Sequence, residues 1–357
     1  MVEMKDTVCP LLCDPNCYTP DTIDLVNNDK ERQYWFTCLQ KMVEKFIDKA
    51  GVLNPDYPEA TDVAKKCFNS FAELIQQLQK DPNILNQLSI RTLLEFNEKT
   101  LRENNFKDAW QMQKQQETEA AFRELPYRLK HLDSLVDAQE RWLQIGSGML
   151  AGNMFDWGAK AVTDILEISD NFGLQQAMQL IQKRPWFKDD MNEWVQHVQR
   201  RPYKLAVIFV DNAGMDFVLG ALPFVRELLK DNTKVILSGN TLPALNDITH
   251  RELDDCLQRA KTHCPIIRTA IDQSRLIAME NGQRGPCLDL SNLDKDLCEA
   301  MIQADLIVLE GMGRAIHTNY NAKFKVDSLK IAVLKNEWLA HSLGAEQFSV
   351  VFRFVPV

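Results

Sequence analysis

The chain has 357 residues, 45% hydrophobic and 25% charged, with a formal net charge of −9. That length fills two domains or one large domain with an elaborate cap. The acidic balance argues against the clustered basic face that nucleic acid or an anionic membrane requires, so neither is an expected partner.

No apolar run approaches the ~20 residues of a membrane helix. The opening "MVEMKDTVCPLLCDPNC" lacks a basic n-region followed by an apolar h-region, so a cytoplasmic location is expected. Nine cysteines, an odd and scattered set, suit a reducing compartment better than a disulfide framework. Cys9, Cys13 and Cys17 are spaced by four, but no fourth ligand is near and the spacing is not that of a zinc ribbon. They are read as an extended arm with small half-buried side chains.

From about residue 30 to 200, apolar positions recur at three and four. In "ERQYWFTCLQKMVEKFIDKAG" the stripe is Tyr34, Trp35, Cys38, Leu39, Met42 and Val43, with Gly51 placed as a C-cap. "PEATDVAKKCFNSFAELIQQLQ", "DSLVDAQERWLQIGSGML" and "DWGAKAVTDILEIS" share the period. In "GSGMLAGNMFDWG", glycines surround Asn153 and Asp156. Because a helical pattern precedes them, this is no dinucleotide fingerprint; it is either a helix break or a turn lending both side chains to a site.

After "RRPYK" the texture changes. Apolar runs "LAVIFV", "KVILSG", "RLIAM", "DLIVLE", "LKIAVL" and "FSVVFRF" alternate with helical stretches near 216–230, 249–260 and 292–303, then after Gly313 and near 337–343. Near-continuous apolar strands separated by helices predict a parallel sheet covered on both faces. The expected fold class is therefore α/β: residues 1–200 form a helical domain with an N-terminal arm, and residues 201–357 form a Rossmann-like three-layer α/β/α domain.

Such sheets bind ligands beyond the carboxyl ends of their strands. The first run delivers Asp211 and Asn212 there. The second leads into a loop holding Asn240, Asn246 and Asp247. The fourth ends in Glu310, Gly311, Met312, Gly313 and Arg314, and the fifth in Lys335. Asp211, Asn212 and Asp247 are hard oxygen donors suited to magnesium or manganese. A divalent ion with two carboxylates is close to neutral and cannot alone hold a phosphate dianion. Arg314, Lys335 and the positive end of the helix after Gly214 would supply the missing charge. Each piece also has a structural reading: Asp-Asn as a turn, Asp247 as the N-cap of the next helix, Arg314 as a surface residue. Only their shared edge argues for a metal-assisted phosphate site.

"AGNMFDWGAKAV", "FVDNAGMDFVLGALPFVRELL", "LPALNDITH", "EGMGRAIHTNY" and "SLKIAVLKNEWLA" together resemble the metal-dependent damage-control phosphatases, in the subfamily marked by EGMGR. The resemblance covers nearly the whole chain. It implies a helical domain on a Rossmann-like domain, and phosphomonoester hydrolysis with Mn²⁺, Co²⁺, Ni²⁺ or Mg²⁺. The implied substrates are 4′-phosphopantetheine and its S-oxidised forms, whose hydrolysis to pantetheine-type products would restrain or clean the coenzyme A pathway. By motif, Asp211, Asn212 and Asp247 would hold the metal. Glu310, Gly311, Met312, Gly313, Arg314 and Lys335 would contact substrate, and Asn153 and Asp156 would complete the catalytic pocket with Asp211 and Arg314. A pantothenate-kinase-like domain fused to or paired with this one, and a homodimer, are the implied macromolecular partners.

In the first of two mechanisms the divalent ion would bind a phosphate oxygen and an attacking water while Arg314 and Lys335 offset charge. Asp211 or Asp156 would instead orient the water or act as general base. The other mechanism is an aspartyl-phosphate route. The second is disfavoured because the position two after Asp211 is Ala213 rather than an acid. His250 reads as a first-turn helix residue rather than an acid catalyst. The competing classes are an S-adenosylmethionine-dependent methyltransferase, opposed by the absence of a glycine-rich turn after the first strand, and a non-catalytic module that senses pantetheine-like ligands. Trp157, Phe155 and Met312 are candidate walls for the pantetheine arm, with core packing the alternative use of the first two.

Overall fold

A computed structural model describes residues 7–155 and 173–357. Asp156 and Trp157 lie outside the described residues. Among the described residues no helix is long and apolar enough to cross a membrane.

The strands are β1 (Lys188–Asp189), β2 (Leu205–Phe209), β3 (Lys234–Gly239), β4 (Leu276–Glu280), β5 (Leu306–Glu310), β6 (Asp327–Val333) and β7 (Val350–Val355). They form one seven-stranded sheet in the order β1-β7-β6-β5-β2-β3-β4. The pairings are parallel apart from β6 with β7, which run antiparallel. The six apolar runs are therefore all strands, but the last one reverses. Pairing backwards lets β7 follow β6 through a short helix instead of a full crossover.

Alternation along the strands sends side chains to opposite faces. Ala206, Ile208 and Val210 join one apolar cluster, while Val207 and Phe209 join the other. Helices from the first half of the chain cover both faces. α1 (Asp29–Leu53), α2 (Ala60–Lys80) and α3 (Ile90–Glu103) pack on the Val207 face, and α4 (Gln111–Ser134) and α5 (Ala138–Gly152) on the Ile208 face. Both clusters thus draw residues from either side of position 200, and β1 contributes a strand from before it.

Two local expectations are corrected. Gly51 does not cap α1: the helix, capped by Asn28 at its start, runs on to Leu53 and stops at Asn54. Gly51 instead lies against Thr61, where a Cβ would come within 3.1 Å of the hydroxyl. Nor do the glycines of "GSGMLAG" break a helix, since α5 passes through Gly146 and Gly148 to Gly152. Gly152 allows close approach instead; a Cβ there would stand 2.9 Å from the Asp216 Cα. The N-terminal arm is tied down by the Leu12–Phe324 and Asp21–Thr318 bridges. Cys9 is buried while Cys13 and Cys17 are exposed, so the three differ from the half-buried side chains expected along the arm.

Helix α3 braces the loop after β3. Arg102 donates to the Pro243 carbonyl at 3.0 Å, and Glu98, fully buried, faces the Leu245 backbone. Leu245 holds a left-handed φ of 48°, a conformation a leucine adopts only when its surroundings impose it. Burial pushes the Glu98 carboxyl up to about 7, with Arg102 opposing. An unfolded glutamate titrates near ~4.3, so folding takes up a proton between those two values. The stability tied to Glu98 is fully present below the unfolded value and lost as pH rises through about 7. Glu98→Gln should therefore gain on the wild type by about 1–2 kcal/mol between pH 5.5 and 8, read by thermal melts. An offset that does not change with pH would contradict the burial argument.

Candidate metal and phosphate site

Four adjacent strands, β6-β5-β2-β3, end at one place. Beyond β2, Asp211 and Asn212 lead into a turn at Gly214, whose φ of 68° is left-handed. A π-helical segment, Asp216–Ala221, then opens into α6 of the second half (Leu222–Lys230). π-Turns of this kind widen a helix locally and commonly mark functional sites. The loop after β3 returns to the same place, because Asn212 and Asp247 form an isolated β-bridge and Ile248 N donates to Asp211 O at 3.0 Å. Asp247 is not the N-cap of the following helix. Thr249 fills that position in a capping box with Glu252.

The side chains form a connected, almost wholly buried knot. Arg314 shows no exposed surface. Its Nη1 donates to Asp211 Oδ1, and its Nη2 donates to Asp247 Oδ2 at 2.8 Å and to Asn240 Oδ1 at 3.0 Å. Asn153, at the end of α5, donates to Asp211 Oδ2 at 2.9 Å and to Asp216 Oδ2 at 3.3 Å. Asn212 Nδ2 reaches Asp216 Oδ2 at 2.7 Å and Asp211 Oδ2 at 3.0 Å. Lys335 donates to the Asn153 carbonyl at 2.7 Å and contacts its Oδ1 at 3.3 Å. Glu310 accepts from the Asp211 backbone N–H at 3.3 Å.

Four carboxylates (Asp211, Asp216, Asp247 and Glu310) thus face two cations, Arg314 and Lys335. The imbalance shows in the titration of the two most hidden acids. Burial, then the neighbouring Asp211, raises Asp216 above the usual carboxylate range. Burial, then Asp216 and Asp211, raises Glu310 well above it. The flanking carboxylates hold the Arg314 guanidinium firmly charged against the cost of its burial. Asp216 Oδ1 and Glu310 Oε1 have no hydrogen-bond partner among the described residues, so the knot has acceptor capacity left over.

Gly311 is where backbone freedom is required. Its φ is 91°, and a Cβ there would overlap the Asp211 carboxylate. The EGMGR turn is therefore laid directly on the Asp211 side chain.

The site opens into a cavity of about 560 Å³, within the usual range for small-molecule pockets. Asp211, Asn212, Asp247, Met312, Gly313 and Lys335 reach its wall. Phe155 belongs to the core cluster instead, 3% exposed.

The structure therefore brings Asn153, Asp211, Asn212, Asp247, Glu310, Gly311, Arg314 and Lys335 together, with Met312 and Gly313 on the cavity. Arg314 differs from expectation in one respect: its guanidinium is engaged by the two candidate metal ligands. His250 begins the helix after Thr249, donating its backbone N–H to Asn240. Asp216 was not singled out from sequence as a site residue, and Asn240 was placed at the ligand edge without a role. Asp216 lies four residues after Asn212, the spacing that stacks side chains on one face of a helical turn.

Among the described residues no three His, Cys, Asp or Glu side chains are grouped to hold an ion by themselves. The donor set that fits is two carboxylates and an amide. Asn212 turns its nitrogen to Asp211 and Asp216, which leaves its oxygen as the atom it can offer a cation.

Two substitutions probe this arrangement. Gly311→Ala should displace Asp211, lowering the melting temperature and weakening Mn²⁺ binding in calorimetry; wild-type values for both would contradict the packing. Arg314→Met leaves two buried carboxylates without their cation, a change that costs about 3–5 kcal/mol. Its melt in EDTA should fall accordingly and recover in part with excess Mn²⁺, whereas an unchanged EDTA melt would refute the pairing.

A damage-control phosphatase ARMT1-like domain matches residues 36–351. A 4′-phosphopantetheine phosphatase of Mus musculus is 39% identical across 97% of this chain and 48% of its own length. A damage-control phosphatase of Arabidopsis thaliana is 33% identical across 96% of this chain and 90% of its own. The chain spans about half the length of the mouse protein. Among solved structures, a DUF89-family protein of Pyrococcus horikoshii superposes with a TM-score of 0.63 at 17% identity, covering 89% of this chain and 96% of that one, a likeness of fold. Neither the methyltransferase nor the non-catalytic sensor finds support in these likenesses. The chain belongs to the damage-control phosphatase ARMT1-like family.

Proposed function

We propose that this chain is a metal-dependent phosphomonoesterase acting on 4′-phosphopantetheine and its S-oxidised forms. One observation carries the reading. Two carboxylates from different strands, Asp211 and Asp247, converge beside Asn212 at the wall of a cavity that also receives Lys335. The substrate is suggested by the likeness to the mouse phosphatase, and by a cavity whose mixed apolar and polar walls suit a long amide-bearing arm.

Asp211, Asn212 and Asp247 would hold a divalent ion, Mn²⁺, Co²⁺, Ni²⁺ or Mg²⁺. When bound it supplies Lewis-acid polarisation of a phosphoryl oxygen and offsets charge on the transferring group. Lys335, on the cavity wall, places a cation where the phosphate dianion would sit. Arg314 acts through its partners, fixing the separation and charge of Asp211 and Asp247. Asn153 and Asn212 donate to the second oxygen of Asp211, which fixes the orientation of that carboxylate. Glu310 accepts the Asp211 backbone N–H and so stiffens that segment, its carboxyl lifted above the ordinary range by burial and then by Asp216 and Asp211. Gly311 and Gly313 keep the EGMGR turn close to the reacting group, and Met312 contributes to the wall.

The test is hydrolysis of p-nitrophenyl phosphate and 4′-phosphopantetheine with Mn²⁺, Co²⁺ or EDTA. EDTA should abolish turnover. Asp211→Ala or Asp247→Ala should each lower kcat by about 10²–10³. Turnover that survives both chelation and Asp211→Ala would remove the metal from the account.

A further inference from the structure

Lys114, in the first turn of α4, is 1% exposed and is not among the described residues that line the cavity. Its Nζ stands 2.7 Å from Asp108 Oδ2 and 2.7 Å from Glu252 Oε1, and donates to Glu252 Oε2 at 3.0 Å. Burial works to discharge this ammonium, but Glu252 and then Asp108 outweigh it and hold it charged. Glu252 links the cation to the ligand edge. Its Oε2 accepts from the Thr249 N–H at 2.9 Å and from the Thr249 hydroxyl at 2.8 Å. Thr249 bridges Asn240, whose backbone accepts from His250 N and donates to the Ile248 carbonyl, each at 3.0 Å. The Asn240 side chain in turn donates to Asp247 Oδ2 at 3.0 Å. α4 meets the other ligand loop as well. At Gly214, just past Asn212, a Cβ would come within 2.7 Å of Glu117 Cβ, so the helix lies directly on that turn. Lys114 and Glu117 are three apart and share one face of α4.

Arg314 joins the two carboxylates directly, while α4 grips the loops that carry them. A buried ion pair adds little stability over an apolar replacement of the same shape, and its best-attested use is to fix register. We infer that Lys114 is a positioning residue for the metal site: through Glu252 and Thr249 it sets where the loop after β3 delivers Asp247, and so tunes divalent-ion affinity. This rests on Asp211, Asn212 and Asp247 being the cation site. Groups that orient metal ligands without touching the ion are worth about 10- to 100-fold in affinity.

The test is calorimetric titration with Mn²⁺, without substrate, at a temperature where circular dichroism shows each variant folded. Lys114→Met keeps most of the stem and removes the charge; it should weaken Mn²⁺ binding by about tenfold or more. Glu252→Gln retains an acceptor for Thr249, should weaken binding in the same direction, and supplies the reading if Lys114→Met does not fold. The double variant should lose little more than the worse single one, because both remove the same link. Arg226→Met is the control for lost stability. It breaks a buried pair with Asp133 at the far end of α4 and should bind Mn²⁺ as the wild type does. Wild-type affinity in either Lys114→Met or Glu252→Gln, or an equal loss in Arg226→Met, would overturn the inference and leave the metal site standing. A wild type that binds no Mn²⁺ would overturn the metal reading itself and the inference with it.

Discussion

A fully buried guanidinium held between two carboxylates organises the carboxyl edge of the sheet. Burying one charge is costly unless partners and hydrogen bonds meet it. Here Arg314 from the end of β5 meets Asp211 from β2 and Asp247 from beyond β3. Three chain segments far apart in sequence are thereby fixed to one another. The same closeness dictates a glycine at 311 and places Asn153, Asn212 and Asn240 as neutral donors and acceptors among the charges. Asparagines suit that position because they satisfy carboxylate oxygens without adding to the charge count.

The scaffold supplies what the charges cannot. Parallel strands deliver their carboxyl ends to one edge, and the two apolar faces are sealed by helices, so the side chains of that edge are deeply buried. Low polarity nearby strengthens each interaction and raises the penalty for any acid lacking a partner. That is why burial lifts Asp216 and Glu310 above the ordinary carboxylate range, and why a knot with leftover acceptors suits a cation.

Much of this was legible in the sequence, for identifiable reasons. Strands such as Leu205–Phe209 and Leu306–Glu310 are short, apolar and bounded by turn residues, and the topology of parallel sheets places their ends at the ligand edge. Asp211, Asn212, Asp247, Glu310, Arg314 and Lys335 followed from that placement, and the EGMGR and DNAG strings carried the family. Asp216 was hidden because it sits inside an otherwise ordinary amphipathic segment; its role depends on the π-turn and on α5 closing against it through Gly152. The target of Arg314 was illegible because it is settled by two loops that meet only in the fold. β1, two residues long, has no periodicity to read, and the reversal of β7 is a pairing choice that leaves its alternation unchanged. Gly51 looked like a cap because glycine serves caps and close contacts alike.

The central claim is that the strand tips form one divalent-cation site. Diffraction from crystals grown with Mn²⁺, recorded at the manganese absorption edge, tests it most directly. The account predicts one anomalous peak per chain, in contact with Asp211, Asn212 and Asp247. A peak elsewhere, or Asp211 and Asp247 turned apart with no ion between them, would contradict it.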